Sequence, residues 1–299
     1  MISSKKVLII GLGLIGGSLA RALRPCCLNI SAIDVNENYL KHARENHWID
    51  SYCLIDQTEL FNKTVAAADI IILSVPLSQY GKLLARIAVS LQPHTVISDV
   101  GSVKQLVVIE IQTQFPNLLP QFIPGHPIAG SDVSGIYASQ PHFFQNKPII
   151  ICRLPENLES SYQQITTMWR AVGGHIFELG LSEHDKLFSK LSHLPHVLAF
   201  SYIHSMFMKT NLQANAHLAG SGFRDFSRIA GADSNLWRTI CFANKEAVLD
   251  DIATFKESLD LVETALRNND QKALSDVFEF AQNSREKWAK QTLSLIDKK

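Results

Sequence analysis

The stretch KVLIIGLGLIGGSLARALR, beginning at Lys6, limits the possible folds more than any other part of the chain. Val7 to Ile10 is an unbroken apolar run, the pattern of a strand buried on both faces as in a parallel sheet. Ile15, Leu19, Ala22 and Leu23 then recur at helical spacing. Between strand and helix, Gly11, Gly13 and Gly16 fit the G-x-G-x-x-G pattern. The first glycine serves the tight turn, the second lets backbone approach a pyrophosphate, and the third lets the helix close on the strand. Amides at the helix start would then face the phosphates.

The next strand-like run, Asn29 to Asp34 (NISAID), puts Asp34 eighteen residues after Gly16, where such units hold the adenosine ribose with an acid. Its carboxylate would accept from a 2′-hydroxyl and repel a 2′-phosphate, which favours NAD over NADP as cofactor; the plainer alternative is an aspartate that merely ends a strand. Further apolar runs cover Asp69 to Val75 and Thr95 to Ser98, followed by Ser74-Val-Pro76 and DVGSVK (Asp99 to Lys104). Strands of such a sheet point their carboxyl ends at the ligand crevice. Ser74 and Pro76 are therefore expected beside the cofactor, with Ser102 and the PGHPIAGS loop at residues 124–131 on the same crevice. In that loop, Pro127 biases His126 to an extended backbone and Gly125 permits close approach, which would hold the imidazole still. The sheet is expected to finish with KPIIIC (Lys147 to Cys152), a helix from about Leu158 to Val172, and HIFEL (His175 to Leu179).

After Gly180 only helical patterns remain, so an NAD-binding Rossmann-type α/β domain over 1–180 and an all-α substrate and dimerisation domain over 181–299 are expected. Ser182 and Asp185 have capping-box spacing ahead of a long apolar helix that must bend near Pro195. Val248, Ile252, Phe255, Leu259, Val262 and Leu266 alternate spacings of four and three, a stripe suited to pairing with another helix. Leu274, Phe278, Ala281, Trp288 and Leu295 continue in similar register. So many amphipathic helices without a sheet to cover suggest a homodimer, against the alternative of intramolecular core.

The chain's 28 basic and 28 acidic side chains cancel, which argues against a nucleic-acid partner. The N-terminal residues lack a secretory h-region, and no apolar run is long enough to span a bilayer, so no membrane association and a cytoplasmic location are expected. Five cysteines, none in a CxxC pair, read as reduced packing residues and not as a zinc site.

Taken in order, GLGLIGGS (Gly11 to Ser18), DVGSVK, GHPIAGS (Gly125 to Ser131), SHLPH (Ser192 to His196) and FRDFSRIAGADSNLWRTICFANK (Phe223 to Lys245) resemble the prephenate and arogenate dehydrogenases of tyrosine biosynthesis, across nearly the whole chain. The resemblance implies an NAD-dependent oxidative decarboxylation of prephenate, arogenate or both, by the monofunctional form of the enzyme. It also implies His126 as general base, Ser102 as hydrogen-bonding partner of the substrate hydroxyl, Arg228 as ligand of the ring carboxylate, and His196 as a contact to the substrate side chain. No metal is expected: His193 and His196 are one turn apart, but no third ligand stands at fixed spacing. Roles for His193, Arg224, Asp225 and Trp237 stay open, as does the idea that Asp132 favours the amino group of arogenate. Other readings are an NAD-dependent dehydrogenase of β-hydroxy acids, which would share the glycine turn but not GHPIAGS with SHLPH, and a non-catalytic NAD sensor.

Overall fold

Five short apolar segments pair in parallel because each is followed by a helix that carries the chain back to the sheet's starting edge. In chain order these are β1 (Lys6–Ile10), α1 (Leu14–Leu23), β2 (Asn29–Asp34), α2 (Glu37–Glu45), β3 (Ser51–Leu54), α3 (Thr58–Ala66), β4 (Ile70–Leu73), α4 (Tyr80–Ala88), β5 (Val96–Asp99) and α5 (Gln105–Gln114); two-residue β6 (Phe122–Ile123) closes the edge. The six strands lie in the order β3-β2-β1-β4-β5-β6, all parallel. A computed structural model describes residues 2–130, 133–209 and 217–296; Ser131 and Asp132 lie outside them, as does the side chain of Leu295.

Both faces of the sheet are buried, and successive residues of β1 serve opposite cores. Val7 and Ile9 pack with Leu19 and Leu23 of α1 and with Trp169, while Leu8 and Ile10 pack with Phe61 of α3, Leu84 of α4 and Val108 of α5. Burial of these side chains on two faces, at about 1.5–3 kcal/mol each, fixes the strand register.

Two expectations need correction beyond this point. The GHPIAGS segment begins as a strand, β7 (Gly125–Pro127), which runs antiparallel to β8 (Pro148–Ile151), with His126 opposite Ile150. After α6 (Glu159–Ala171), β9 (His175–Glu178) pairs parallel to β8. These three strands form a separate sheet, not the end of the first one. The chain turns at Pro124, which cannot donate to a ladder. Gly125 then passes so close to β5 that a Cβ there would lie 2.8 Å from the Asp99 carbonyl oxygen.

Ser182 and Asp185 do not form the expected capping box. Helix α7 (Leu181–Phe188) starts after Gly180, so Ser182 is inside the helix, and Glu183 reaches back to the Gly180 amide at 3.3 Å. Asp185 caps a different helix, described below. The bend near Pro195 takes the form of a π-helical turn (Ser189–His193) leading into α8 (Leu194–Lys209). Proline cannot donate the usual i→i−4 bond, and a wider turn ahead of it accommodates that loss. Helices α9 (Ser221–Arg228) and α10 (Ser234–Ala243) follow.

The chain divides into two compact units, Met1–Lys245 and Glu246–Lys299. The second is made of α11 (Lys245–Arg267) and α12 (Gln271–Ile296), joined at Asn269, whose φ of 54° ends α11 in the left-handed cap conformation. Of the α11 stripe, Val248 is buried, whereas Leu259 and Leu266 are exposed, as are Phe278, Phe280 and Trp288 on α12. Among the described residues no helix is long and apolar enough to cross a membrane.

Candidate active site

The glycine turn is shaped by what its residues lack. Gly11 has φ +98°, and a Cβ there would stand 2.2 Å from the Ser74 carbonyl oxygen. A Cβ on Gly16 would come within 1.9 Å of the Gly11 carbonyl oxygen, so α1 can approach the turn only without one. Gly13 differs: a Cβ there would meet nothing within 4 Å, and as N-cap of α1 it offers the first-turn amides no side-chain acceptor. Uncapped amides at a helix start, over a glycine with open space beside it, suit a bridging phosphate. Asp34 stands at the end of the adjacent strand. Its carboxylate accepts from the Leu12 amide at 2.6 Å and the Asn36 amide at 2.8 Å, which leaves acceptor capacity on both oxygens for a ribose hydroxyl. Ser74 and Pro76 follow the carboxyl end of β4, with the Ser74 amide bonded to the Ile10 carbonyl at 2.8 Å.

Beyond β4 the construction changes to buried charge. Asp99, at the end of β5, is fully buried, and so is Lys104, which forms an ion pair with Asp99 Oδ2 and donates to the Gly125 carbonyl at 2.7 Å. The same carboxylate accepts from the Gly125 amide at 3.0 Å, the Gly101 amide at 2.9 Å and the Tyr80 hydroxyl at 3.2 Å. One acid thus ties β5, the loop bearing half-buried Ser102, α4 and the start of β7 together. Burial and the Asp99 charge push the Tyr80 hydroxyl far above its usual pKa, so it acts as a fixed donor.

His126 leaves β7 toward α7. Its Nδ1 lies 2.9 Å from His184 Nε2, and His184 Nδ1 lies 2.7 Å from Asp185 Oδ1. Phe188 packs on both rings, with centroids 4.8 Å and 4.6 Å away. Asp185 also accepts from the Lys104 and Gln105 amides at 2.9 Å each, capping α5 across 81 and 80 residues of sequence. Asn244, ending α10, donates to the Asp185 carbonyl at 2.7 Å and stands 3.1 Å from His193 Nδ1. Burial, then repulsion from His184 and from the Lys104 ammonium, hold His126 well below the ordinary histidine pKa. Burial also lowers His184, partly opposed by Asp185. Burial pushes the Asp185 carboxyl up, but its bonds from His184 and the two amides outweigh that and keep it below the usual carboxylate value. At neutral pH the cluster is therefore two neutral imidazoles on one carboxylate. Among the described residues His126 Nε2 makes no hydrogen bond, so it is the nitrogen able to accept a proton.

The remaining predicted residues lie on the helices. His196, on α8, holds the Ser192 carbonyl through Nδ1 at 2.8 Å and stacks on Trp237 of α10, with centroids 3.5 Å apart and planes 16° from parallel. Helix α10 packs against both the Leu77–Gln79 turn after β4 and the π-helical turn, which brings this stack to the crevice side of the sheet. Arg228 is the exposed last residue of α9, a helix set against α8 by Tyr202 with Phe223 and Phe226. Arg224 is spent on the Ala219 carbonyl at 2.8 Å, and Asp225 is exposed. Asp132 falls outside the described residues. Asp99, Lys104, His184 and Asn244 are not singled out by the sequence, and Asp185 is singled out there only as a cap of its own helix. Asp99 and Lys104 frame the DVGSVK motif, and an acid and a lysine around a glycine-serine turn are the only local hint of an ion pair.

Known proteins share both parts of this architecture. The family of prephenate dehydrogenase nucleotide-binding domains matches residues 19–178, and that of prephenate dehydrogenase dimerization domains matches residues 181–280. The prephenate dehydrogenase of Lactococcus lactis subsp. cremoris is 33% identical over 92% of this chain and 75% of its own length. The cyclohexadienyl dehydrogenase of Zymomonas mobilis is 31% identical, over 94% of this chain and 95% of its own. The crystal structure of prephenate dehydrogenase from A. aeolicus, in complex with hydroxyphenyl propionate and NAD+, superposes with a TM-score of 0.87 at 27% identity, covering 95% of this chain and 98% of that one. With both domain matches in sequence order and a relative 33% identical over most of both chains, the chain belongs to the prephenate dehydrogenase family.

Proposed function

We propose that this protein oxidises and decarboxylates prephenate to 4-hydroxyphenylpyruvate in tyrosine biosynthesis, with arogenate as the alternative substrate. The observation that carries the reading is His126, next to the Gly125 that is bonded to Asp99 at the carboxyl end of β5, held neutral with one ring nitrogen engaged and the other available. In this reading Gly11, Gly13 and Gly16 form the bed for the pyrophosphate of NAD, Asp34 holds the ribose, and Ser74 and Pro76 border it. Bound NAD+ supplies the hydride acceptor. His126 Nε2 takes the proton of the ring hydroxyl as the carbinol carbon is oxidised, which a base neutral at working pH can do. Ser102 hydrogen-bonds that hydroxyl, Arg228 grips the ring carboxylate with its planar fork, and His196 meets the side chain. Loss of carbon dioxide then aromatises the ring, which drives the second step without help from the protein.

The division at 180 follows the change from sheet to helix, with residues 1–180 for the cofactor and residues 181–299 for substrate and self-association. A homodimer is supported by the dimerization-domain match and by exposed Leu259, Leu266, Phe278 and Trp288 on the second unit's two helices. Five free cysteines suit a reducing compartment, the cytoplasm. The deciding experiment follows NADH formation by purified protein given NAD+ with prephenate or arogenate in parallel. Turnover is expected, and its ratio names the preferred substrate. Silence with both, while NAD+ binding is demonstrated calorimetrically, would overturn the reading.

A further inference from the structure

We infer that His184 and Asp185 are positioning residues that set the tautomer of His126. The inference rests on the general-base reading above and concerns residues to which that reading gives no role. The chain of donors runs one way. Asp185 is an ionised acceptor, so the 2.7 Å contact makes His184 Nδ1 the donor. A neutral His184 then has its lone pair on Nε2, and the 2.9 Å contact makes it the acceptor for a proton on His126 Nδ1. A neutral His126 protonated at Nδ1 has its lone pair at Nε2, the nitrogen left available for substrate. When Nε2 takes up a proton, the imidazolium keeps its Nδ1–H bond to His184 and gains from the Asp185 charge behind it.

The same carboxylate that orients His184 caps α5 through the Lys104 and Gln105 amides. The ring is therefore indexed to the loop that carries Ser102, two residues before Lys104, and not only to α7. Phe188 against both rings removes the rotational freedom that would let either imidazole flip. His184 is fully buried, and so is protected from competing water. Orienting groups behind a metal-bound histidine contribute about 10–100-fold when removed, and a loss of the same order is expected behind a general base.

The experiment compares His184→Leu, His184→Gln and His126→Asn in the full-length protein. Steady-state kinetics with prephenate are combined with long-range ¹H–¹⁵N spectra of histidine-labelled enzyme. His184→Leu leaves His126 Nδ1–H without an acceptor; kcat is expected to fall about 10–100-fold with KM within about threefold. Glutamine can present a carbonyl to the same N–H, so His184→Gln should recover most of the loss. The spectra should show His126 as the Nδ1–H tautomer in wild type and a mixture in His184→Leu. Wild-type kcat in His184→Leu, or a wild-type spectrum of His126 that carries its proton on Nε2, would overturn the inference. Should His184→Leu fail to fold, the tautomer read in wild type and the kinetics of His184→Gln still decide. Near-normal turnover in His126→Asn would instead remove the base assignment itself.

Discussion

The two ends of the crevice are built by opposite means. The nucleotide end is made by leaving side chains out: Gly11 and Gly16 admit no Cβ, Gly13 opens onto space, and most of it lies between residues 11 and 34, with Ser74 closing over Gly11. The histidine end is made by burying charged and polar groups, with Asp99, Lys104, His126, His184, Asp185 and Asn244 brought together from segments far apart in sequence. A backbone cradle is local and, outside the glycines that admit no Cβ, loses little when one side chain changes. A buried polar network is cooperative, and one missing partner strands the others. Damage at the histidine end should therefore be large and appear in turnover or stability, while loss of a side chain at the nucleotide end should be modest and appear in affinity.

Substitution of His126 tests the first half most severely. His126→Asn is expected to lower kcat about 10²–10⁴-fold while leaving NAD+ affinity unchanged by calorimetry. Equal losses in both quantities would show that the two ends are not separable. Next in size is the ion pair. Lys104→Met removes the cation but leaves Asp99 fully buried, and breaking a buried pair from one side costs about 3–5 kcal/mol. Urea unfolding should register that loss; a change below about 1 kcal/mol would mean that Gly101, Gly125 and Tyr80 alone satisfy the carboxylate.

The same contrast explains what could be read from the sequence. Strand β2 coincides with the predicted Asn29 to Asp34, and the glycine turn falls where expected, because periodicity and turn chemistry are local signals. His126 read as a loop residue, since glycine and proline on either side outweigh a three-residue run. Its strand character comes from pairing with β8, which no local pattern announces. Asp185 read as part of its own helix's cap because the spacing was right, yet its acceptors serve α5 in a distant segment. The family resemblance supplied His126, Ser102, His196 and Arg228. It did not supply the groups behind His126, whose partners are set by tertiary contact alone.

Acid should expose the buried histidines as a stability effect. Both His126 and His184 have folded-state pKa values below the ordinary 6.5. Above that pH neither the folded nor the unfolded chain binds the proton, and their full contribution to stability is present. As pH falls below 6.5 the unfolded chain takes up protons that the folded cluster refuses, so stability falls by up to about 1.4 kcal/mol per pH unit for each group. Asp185, held low, acts in the other window, losing its contribution only below the usual carboxylate range. Urea midpoints between pH 7.5 and 5.5 should drop for wild type and drop less steeply for His126→Asn. Parallel slopes would show that His126 is as easily protonated in the folded state as in the unfolded chain.

The smallest effect is expected at Asp34, and it tests whether the nucleotide end is as forgiving as its construction implies. The carboxylate braces the chain through the Leu12 and Asn36 amides, and in the proposed reading it presents negative charge to whatever substituent the ribose carries. Asp34→Asn separates the two roles. The amide oxygen can still accept from Leu12, so the turn should hold, while the Asn36 amide loses its acceptor, with NAD+ affinity reduced about two- to tenfold for the changed hydrogen bonding. The repulsion of a 2′-phosphate disappears with the charge, so discrimination against NADP+ should relax by more than NAD+ binding weakens. Titration of both cofactors against wild type and Asp34→Asn measures the two changes side by side. If NAD+ affinity collapses, the brace is the dominant role and the turn depends on a side chain after all. If the ratio of the two affinities stays constant, selectivity is set elsewhere, and a backbone cradle with a spectator acid describes this end of the crevice.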